Sequence, residues 1–269
     1  MIDPSPELAL MITAARTAGA GLMQRFRTRS ELTVELKGRA DFVSVADREA
    51  EDTLRSLLLG AYPQFGFLAE ESAAIVGRDP NTRFIVDPLD GTTNFLHGIP
   101  HFAIAVGLER EARMVAGVVF DPAVDEMFFA EEGRGAWLGG ERLTVSNDVD
   151  FSRALVGTGI PHANRQQRHE AYLAMLMPVM REAAGIRRLS AAALDLAYVA
   201  AGRFAAFFEL GLAPWDLAAG TLLVREAGGR VSQLGGDERV IYAGDVLATN
   251  GRLHESMIAL LRGAAPPSG

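Results

Sequence analysis

The spacing of apolar positions divides the chain into stretches of different period. At the start, Leu8, Met11, Ile12, Ala15, Leu22 and Phe26 recur at helical spacing, and Ser5-Pro6 ahead of them supplies an N-cap and a first-turn proline. This predicts a helix ending near Phe26. Ser44, with Asp47 three residues on, caps a second helix carrying Ala50, Leu54, Leu57 and Leu58, and the stretch from Gly60 to Pro63 stops it. Two short apolar runs follow, Phe65 to Leu68 and Arg83 to Val86, each suited to a buried strand. Both end in acid, Glu70-Glu71 after the first and Asp87 after the second.

From His101 to Val145, apolar runs alternate with charged or glycine-rich turns: Phe102 to Leu108, Met114 to Phe120, Glu126 to Ala130 and Gly135 to Leu138. That is the pattern of an antiparallel meander. The polar stretch Ser146 to Ser152 marks a lobe boundary, beyond which helices and strands alternate. Helices are expected over Arg168–Ala184, Ser190–Ala201, Asp216–Ala227 and Leu253–Leu261, with a strand over Phe204–Leu210. We therefore expect an N-terminal α+β lobe over 1–146, a C-terminal α/β lobe over 147–263 and a disordered Pro/Gly/Ala-rich tail over 264–269.

Composition narrows the class. A chain of 269 residues, 49% apolar and 22% charged, buries a substantial core without staples. It contains no cysteine, which removes disulfides, thiolate metal sites and cysteine nucleophiles, and a cytoplasmic location is expected. The 34 acids against 26 Lys and Arg give a net charge of −8, which argues against general affinity for nucleic acid or anionic membrane. No window approaches a membrane span, and Asp3, Glu7 and Arg16 spoil the N-terminal stretch as a signal peptide.

The acids are not evenly placed. Glu70-Glu71-Ser72, Asp87-Pro88-Leu89-Asp90-Gly91-Thr92-Thr93-Asn94-Phe95 and Trp215-Asp216-Leu217-Ala218-Ala219-Gly220 each put carboxylates near the ends of apolar segments. Ligand sites accumulate at such ends in α/β architectures. Alone, each has a bland reading: a solvated turn, a hairpin turn, an N-cap. In combination, Pro88 holds the turn between Asp87 and Asp90 rigid, Gly91 lets the backbone approach a ligand, and the amides opening Thr92 to Phe95 point at an anion such as phosphate. Were Glu70, Asp87, Asp90 and Asp216 to converge, two carboxylates ~4 Å apart would repel by about 4 kcal/mol. Such a cluster requires cations. Oxygen donors alone favour Mg²⁺, with Mn²⁺ as a substitute and Zn²⁺ less suited. His97 and His101, separated by Gly98 and Pro100, read as structural or substrate-edge residues. P-loop, nucleophile-elbow and H-E-x-x-H patterns are absent, and Gly157-Thr158-Gly159 lacks the third glycine of a dinucleotide fingerprint.

These motifs, with Glu226-Ala227-Gly228-Gly229 downstream, resemble the signatures of the inositol monophosphatase family, in order and at the right separations over nearly the whole chain. The resemblance is strongest to the bacterial inositol-1-monophosphatases. It implies an αβαβα sandwich of the inositol monophosphatase/fructose-1,6-bisphosphatase type, usually homodimeric, and Mg²⁺-dependent, lithium-inhibited hydrolysis of phosphate monoesters. Carried over residue by residue, Glu70, Asp87 and the Leu89 carbonyl resemble the ligands of a first Mg²⁺, and Asp87, Asp90 and Asp216 those of a second. Glu70 helps hold a third, weaker one. Thr92, hydrogen-bonded to Asp47, would assist Glu70 in orienting the nucleophilic water, and Gly91 and Thr92 amides would bind the phosphate. Asp90, Asp216, Glu209 and the Ala192 amide resemble the contacts to the substrate. Asp41 and Lys37 fall in a loop that would close on the phosphate. Where relatives commonly have Gly followed by Ser or Thr, this chain has Ser190-Ala191, which bears on sugar selectivity. Asp195, in an apolar helical run, is read as structural and needs a partner if buried.

The same scaffold resembles fructose-1,6-bisphosphatases, histidinol-phosphate phosphatases and 3′-phosphonucleotide phosphatases. A haloacid dehalogenase-type nucleophile is disfavoured, because Asp87 and Asp90 stand three apart across Pro88. Some bacterial relatives are RNA-polymerase-associated antitermination factors, for which Arg187-Arg188 or the Arg165–Arg168 stretch would be the basic face.

Overall fold

The structure is a computed structural model describing residues 3–28, 34–38, 41–161 and 168–263; for 34–38 and 41–44 the backbone alone is described. The tail, the Lys37 and Asp41 side chains and residues 165–167 of the basic stretch lie outside the described residues.

Helix α1 (Pro6–Arg27) starts where Ser5 accepts the Leu8 N–H at 3.2 Å and buries Leu8, Met11, Ala15 and Leu22. A hairpin, β1 (Val34–Gly38) and β2 (Asp41–Ser44), leads into α2 (Val45–Ala61), which buries Ala46, Ala50, Leu54 and Leu58. Both helices cover one face of a seven-stranded sheet. Its strands lie side by side in chain order: β3 (Gly66–Ala69), β4 (Thr82–Asp90), β5 (Ala103–Arg110), β6 (Arg113–Asp121), β7 (Glu126–Glu131), β8 (Gly135–Leu138) and β9 (Glu141–Arg142). The pair β3/β4 is parallel; all others are antiparallel.

The strand period of two sorts this sheet's side chains between two cores. Phe84, Val86, Ile104, Val106, Val118 and Phe120 pack under α1 and α2. Ile85, Ala103, Ala105, Val119, Phe128 and Ala130 face the opposite way, toward α5 (Ala192–Ala200) and α6 (Pro214–Glu226). These helices form a middle layer. A second, five-stranded sheet lies beyond, in the order β11 (Gly185–Arg187), β10 (Leu155–Thr158), β12 (Ala206–Glu209), β14 (Val246–Thr249), β13 (Arg230–Ser232). Its far face, Val156, Ala206, Phe208 and Leu247, is covered by α4 (His169–Glu182) and α7 (His254–Gly263). The layers run α, β, α, β, α, so the fold class is a layered αβαβα sandwich.

Small residues position α6. At Gly107 of β5 a Cβ would stand 2.8 Å from the Ala218 Cβ, and at Gly117 of β6 it would stand 2.9 Å from the Ala219 carbonyl oxygen. On the other side, a Cβ at Gly220 would lie 2.5 Å from the Leu196 Cβ of α5. The Ala218-Ala219-Gly220 run is thus what a helix squeezed between a sheet and another helix requires. That seating presents Asp216, in the first turn of α6, to the ends of β4 and β12. The far end is tied as well: both oxygens of Glu226 accept backbone N–H groups, from Gly133 and Gly135, each at 2.8 Å.

The structure departs from the sequence reading at several points. Strand β4 does not stop at Val86 but continues to Asp90, with a register slip between Asp87 and Asp90 where Pro88 has no N–H to give. The hairpin β1–β2 and strands β10, β11, β13 and β14 were not expected. In the second sheet these strands have only three or four residues, too few for a period to declare itself. Helix α5 starts at Ala192 rather than Ser190, because Ser190 is left-handed at φ 66° and Ala191 is extended. No helix among the described residues is long and apolar enough to cross a membrane. The seven-stranded sheet is built from residues 66–142 and the five-stranded one from 155–249. A division into lobes at 146/147 is our proposal.

Candidate active site

The two sheets and the middle helices meet around a cavity of about 470 Å³. Its lining includes Asp87, Leu89 and Asp90 of β4, with Glu70 just past β3 and Gly91 and Thr92 just past β4, and Ala192, Glu209 and Asp216 from the other half. Residues separated by as many as 146 positions, Glu70 and Asp216, thus share one wall.

Asp87, Asp90 and Asp216 form its acidic floor, each offering a carboxylate oxygen within 4.8 Å of the others'. Local structure aims each one. Asp87 accepts the Leu89 N–H at 3.0 Å, closing the turn around Pro88. Asp90 bridges to the start of α5, its oxygens accepting the Ala192 N–H at 3.2 Å and the Ala193 N–H at 2.8 Å. Asp216 accepts the Ala213 N–H at 2.7 Å as part of the α6 cap. The Ala192 amide, expected to face the substrate, is therefore bonded to Asp90.

Electrostatics says what the floor lacks. Burial raises the Asp87 carboxyl well above the usual carboxylate range, and the charges of Glu70, Asp90 and Asp216 push it further. Asp90 is raised to about 8 by burial and then by Asp216, against the backbone hydrogen bonds that favour its ionised form. Burial carries Asp216 to about 6 and Glu209 to about 8, the latter also raised by Asp216 and Asp90. Every donor in the set is a hard oxygen and the charges acting on Asp87 are all negative. Such a set fits a divalent hard cation and is costly without one. Glu70, Asp87, the Leu89 carbonyl, Asp90 and Asp216 are the candidate ligands.

Beside the floor, the Thr92 hydroxyl lies 3.0 Å from both Asp47 Oδ1 and the Leu89 carbonyl oxygen, and Asp47 is itself buried in the first turn of α2. With its proton directed to these acceptors, Thr92 keeps lone pairs for a proton from a water in the cavity. Gly91 precedes it at φ 92°, where a Cβ would stand 3.1 Å from the His101 carbonyl oxygen, so only glycine makes this turn without strain.

Other sequence candidates fall outside the cavity. His97 is exposed, its Nδ1 2.9 Å from the Thr93 carbonyl, while His101 is partly buried edge-on to Tyr198, with its pKa lowered by burial. Asp195 is buried with no partner for Oδ1 among the described residues, and burial followed by the charges of Glu209 and Asp90 holds its carboxyl high. The sequence reading missed His169, Ile160 and Gly159 in the lining, and Arg188 there as a cation; Ser190, tied in the sequence to sugar selectivity, is in the lining. Ser190 combines a left-handed backbone with a side-chain oxygen that accepts from the Arg188 guanidinium. No local pattern announces that.

Comparison with known proteins identifies the family. Residues 3–265 match the inositol monophosphatase family. The chain belongs to that family, a family of phosphatases. It is 49% identical to the inositol-1-monophosphatase of Rhizobium meliloti over 259 residues, 96% of this chain and 97% of the relative. It is 41% identical to the Nus factor SuhB of Pseudomonas aeruginosa, with 98% of both chains covered. Among solved structures, the extragenic suppressor protein suhB of Bartonella henselae superposes with a TM-score of 0.92 at 46% identity, covering 94% of this chain and 97% of that one.

Proposed function

We propose that this phosphatase hydrolyses inositol-1-phosphate to inositol and phosphate, with Mg²⁺ held by Glu70, Asp87, the Leu89 carbonyl, Asp90 and Asp216. The single observation that carries the reading is the floor of buried Asp87 and Asp90 and half-buried Asp216, whose oxygens gather within 4.8 Å. Two or three ions bound there, Mg²⁺ or Mn²⁺, would supply the positive charge that makes water nucleophilic at neutral pH and offsets charge on the departing alkoxide. The chain's own residues do the positioning. Thr92, oriented by Asp47, directs the water together with Glu70. The Gly91 and Thr92 amides receive the phosphate where the chain turns into α3 (Thr92–Leu96). Glu209 and Asp90 accept hydrogen bonds from hydroxyls of the polyol.

Fructose-1,6-bisphosphate, histidinol phosphate and adenosine 3′,5′-bisphosphate are the competing substrates. A phosphate-release panel over the four, with and without Li⁺, is expected to give the highest kcat/KM for inositol-1-phosphate, loss of activity in EDTA and inhibition by Li⁺. Full activity in EDTA would sink the reading. A cytoplasmic location belongs to the same proposal, as does a homodimer, for which the exposed Leu173, Met177 and Met180 at helical spacing on α4 offer an apolar face. A second reading, association with RNA polymerase, is favoured by relatives named Nus factor SuhB and by the exposed Arg187 and Arg188. A polymerase pull-down with Asp90→Asn separates it from catalysis; retained polymerase supports it, and none retained removes it.

A further inference from the structure

The stretch Gly157-Thr158-Gly159 has no dinucleotide to bind, yet its last residue touches the cavity in an unusual way. Strand β10 runs parallel to β12 with Val156 beside Ala206, Gly157 beside Phe207 and Thr158 beside Phe208. The next step along each strand places Gly159 next to Glu209. There the Glu209 side chain folds across its neighbour. A Cβ built on Gly159 would lie 1.9 Å from Glu209 Cδ and Oε1 and 2.1 Å from Oε2. The carboxyl group occupies the space that any side chain at 159 would need.

Gly159 is not in the left-handed region, so backbone freedom does not account for it. What glycine provides here is room. The two strands are also fixed to each other at this point: the Thr158 hydroxyl donates to the Phe208 carbonyl at 2.9 Å, and Tyr172 OH stands 3.3 Å from the same hydroxyl. Neither backbone is free to step back if the gap is filled. On Glu209 itself only burial and the charges of Asp216, Asp90 and Arg188 act, and no hydrogen bond from a described residue sets its direction. Among the described residues, packing therefore joins these charges in setting its orientation, and the packing surface is the bare Cα of Gly159.

We propose that Gly159 is a positioning residue for substrate selection: it seats the Glu209 carboxyl so that it faces a hydroxyl of a polyol phosphate. The proposal rests on the reading of Glu209 as the acceptor of a substrate hydroxyl. Filling the seat with one methyl group displaces the carboxyl and removes a hydroxyl contact while the phosphate-binding turn at Gly91-Thr92, on the other sheet, is untouched. Selectivity is lost ahead of chemistry.

The test is the ratio of kcat/KM for inositol-1-phosphate to that for para-nitrophenyl phosphate, which has no hydroxyl for Glu209, measured in the parent, Gly159→Ala, Glu209→Gln and Gly159→Ala/Glu209→Gln. Loss of one charge-assisted hydrogen bond corresponds to a fall of about tenfold or more. Gly159→Ala is expected to lower the ratio by that factor, chiefly through KM for inositol-1-phosphate, and to add nothing to Glu209→Gln. A parent ratio in Gly159→Ala beside a collapsed ratio in Glu209→Gln overturns the seat alone. An unchanged ratio in both overturns the role of Glu209 and the seat with it. Should Gly159→Ala fold too poorly to assay, melting decides: Gly159→Ala/Glu209→Ala recovering to the melting temperature of Glu209→Ala supports the clash, and a double variant as unstable as Gly159→Ala overturns it.

Discussion

Asp87→Asn is expected to lower kcat/KM for inositol-1-phosphate by at least about a thousandfold, roughly 4 kcal/mol of transition-state stabilisation, while the metal-free protein melts no lower than the parent. The two halves have one cause. Asp87 is 1% exposed, and burial and three neighbouring carboxylates oppose its charge. In the metal-free fold that charge is a liability. Asparagine has nearly the same shape. It keeps an oxygen for the Leu89 N–H, 3.0 Å away, and offers an N–H to Asp216, with which Asp87 already shares a hydrogen bond. The charge that would hold a cation is what disappears. Asp216→Asn is the useful contrast, because Asp216 accepts the Ala213 N–H at 2.7 Å in the α6 cap and is only partly buried. It should lose activity comparably but gain less stability. Steady-state kinetics at saturating Mg²⁺, paired with melting in EDTA, measures both. Activity within tenfold of the parent, or a metal-free melting temperature more than about 5 °C lower, would refute the assignment of Asp87 to a cation-dependent role.

The acids of this floor were legible in the sequence because their chemistry is carried by residue type and local spacing. Asp87 and Asp90 flank a proline, and Asp216 opens a helix whose Ala-Ala-Gly run has a packing cause that the strands reveal. The long helices were legible for a similar reason, since α1 and α2 repeat their apolar face over several turns. What stayed hidden depends on contacts between distant segments. Ala192 and Ala193 donate to Asp90 across about a hundred residues, and nothing in the Ser190-Ala191-Ala192 stretch signals that its amides are already engaged. The left-handed turn at Ser190 was hidden because serine, unlike glycine, does not advertise it. Strands β10 and β14 were hidden by burial on both faces, which erases the alternation that marks a strand. Gly159 illustrates the limit most clearly: the sequence offers Gly157-Thr158-Gly159 only as an incomplete fingerprint, whereas the space at this glycine is filled by a side chain of the same protein.

Without metal, the protein should lose stability as pH rises toward 8, and Mg²⁺ should abolish that loss. Asp90, carried from 3.8 to about 8, and Glu209, carried from 4.5 to about 8, stay protonated in the fold at pH values where the unfolded chain has released those protons. Asp216 does the same up to about 6. The folded state therefore binds more protons than the unfolded one across this interval, and stability is fully present near pH 4 and falls as pH climbs through the folded values. A carboxyl carried from 3.8 to about 8 corresponds to on the order of 6 kcal/mol at most. Histidines lowered by burial, His101 and His254, work in the other direction. His254, 3.0 Å from the Ser232 hydroxyl and 2.9 Å from that of Thr249, has its pKa lowered from 6.5 to about 4, chiefly by burial. Its neutral form favours the fold increasingly as pH rises from 4 to 6.5, which offsets the carboxyls in that interval. Above 6.5 the histidines have finished titrating and only the acids remain. The decline should consequently persist between pH 6.5 and 8, where no histidine offsets it, and it should vanish with millimolar Mg²⁺, because a cation on the floor replaces the protons and releases them on binding. Chemical denaturation at a series of pH values, in EDTA and in Mg²⁺, reads both effects. A metal-free stability that stays level or increases from pH 6.5 to 8 would mean that the carboxylates of the floor are not confined together without their cation.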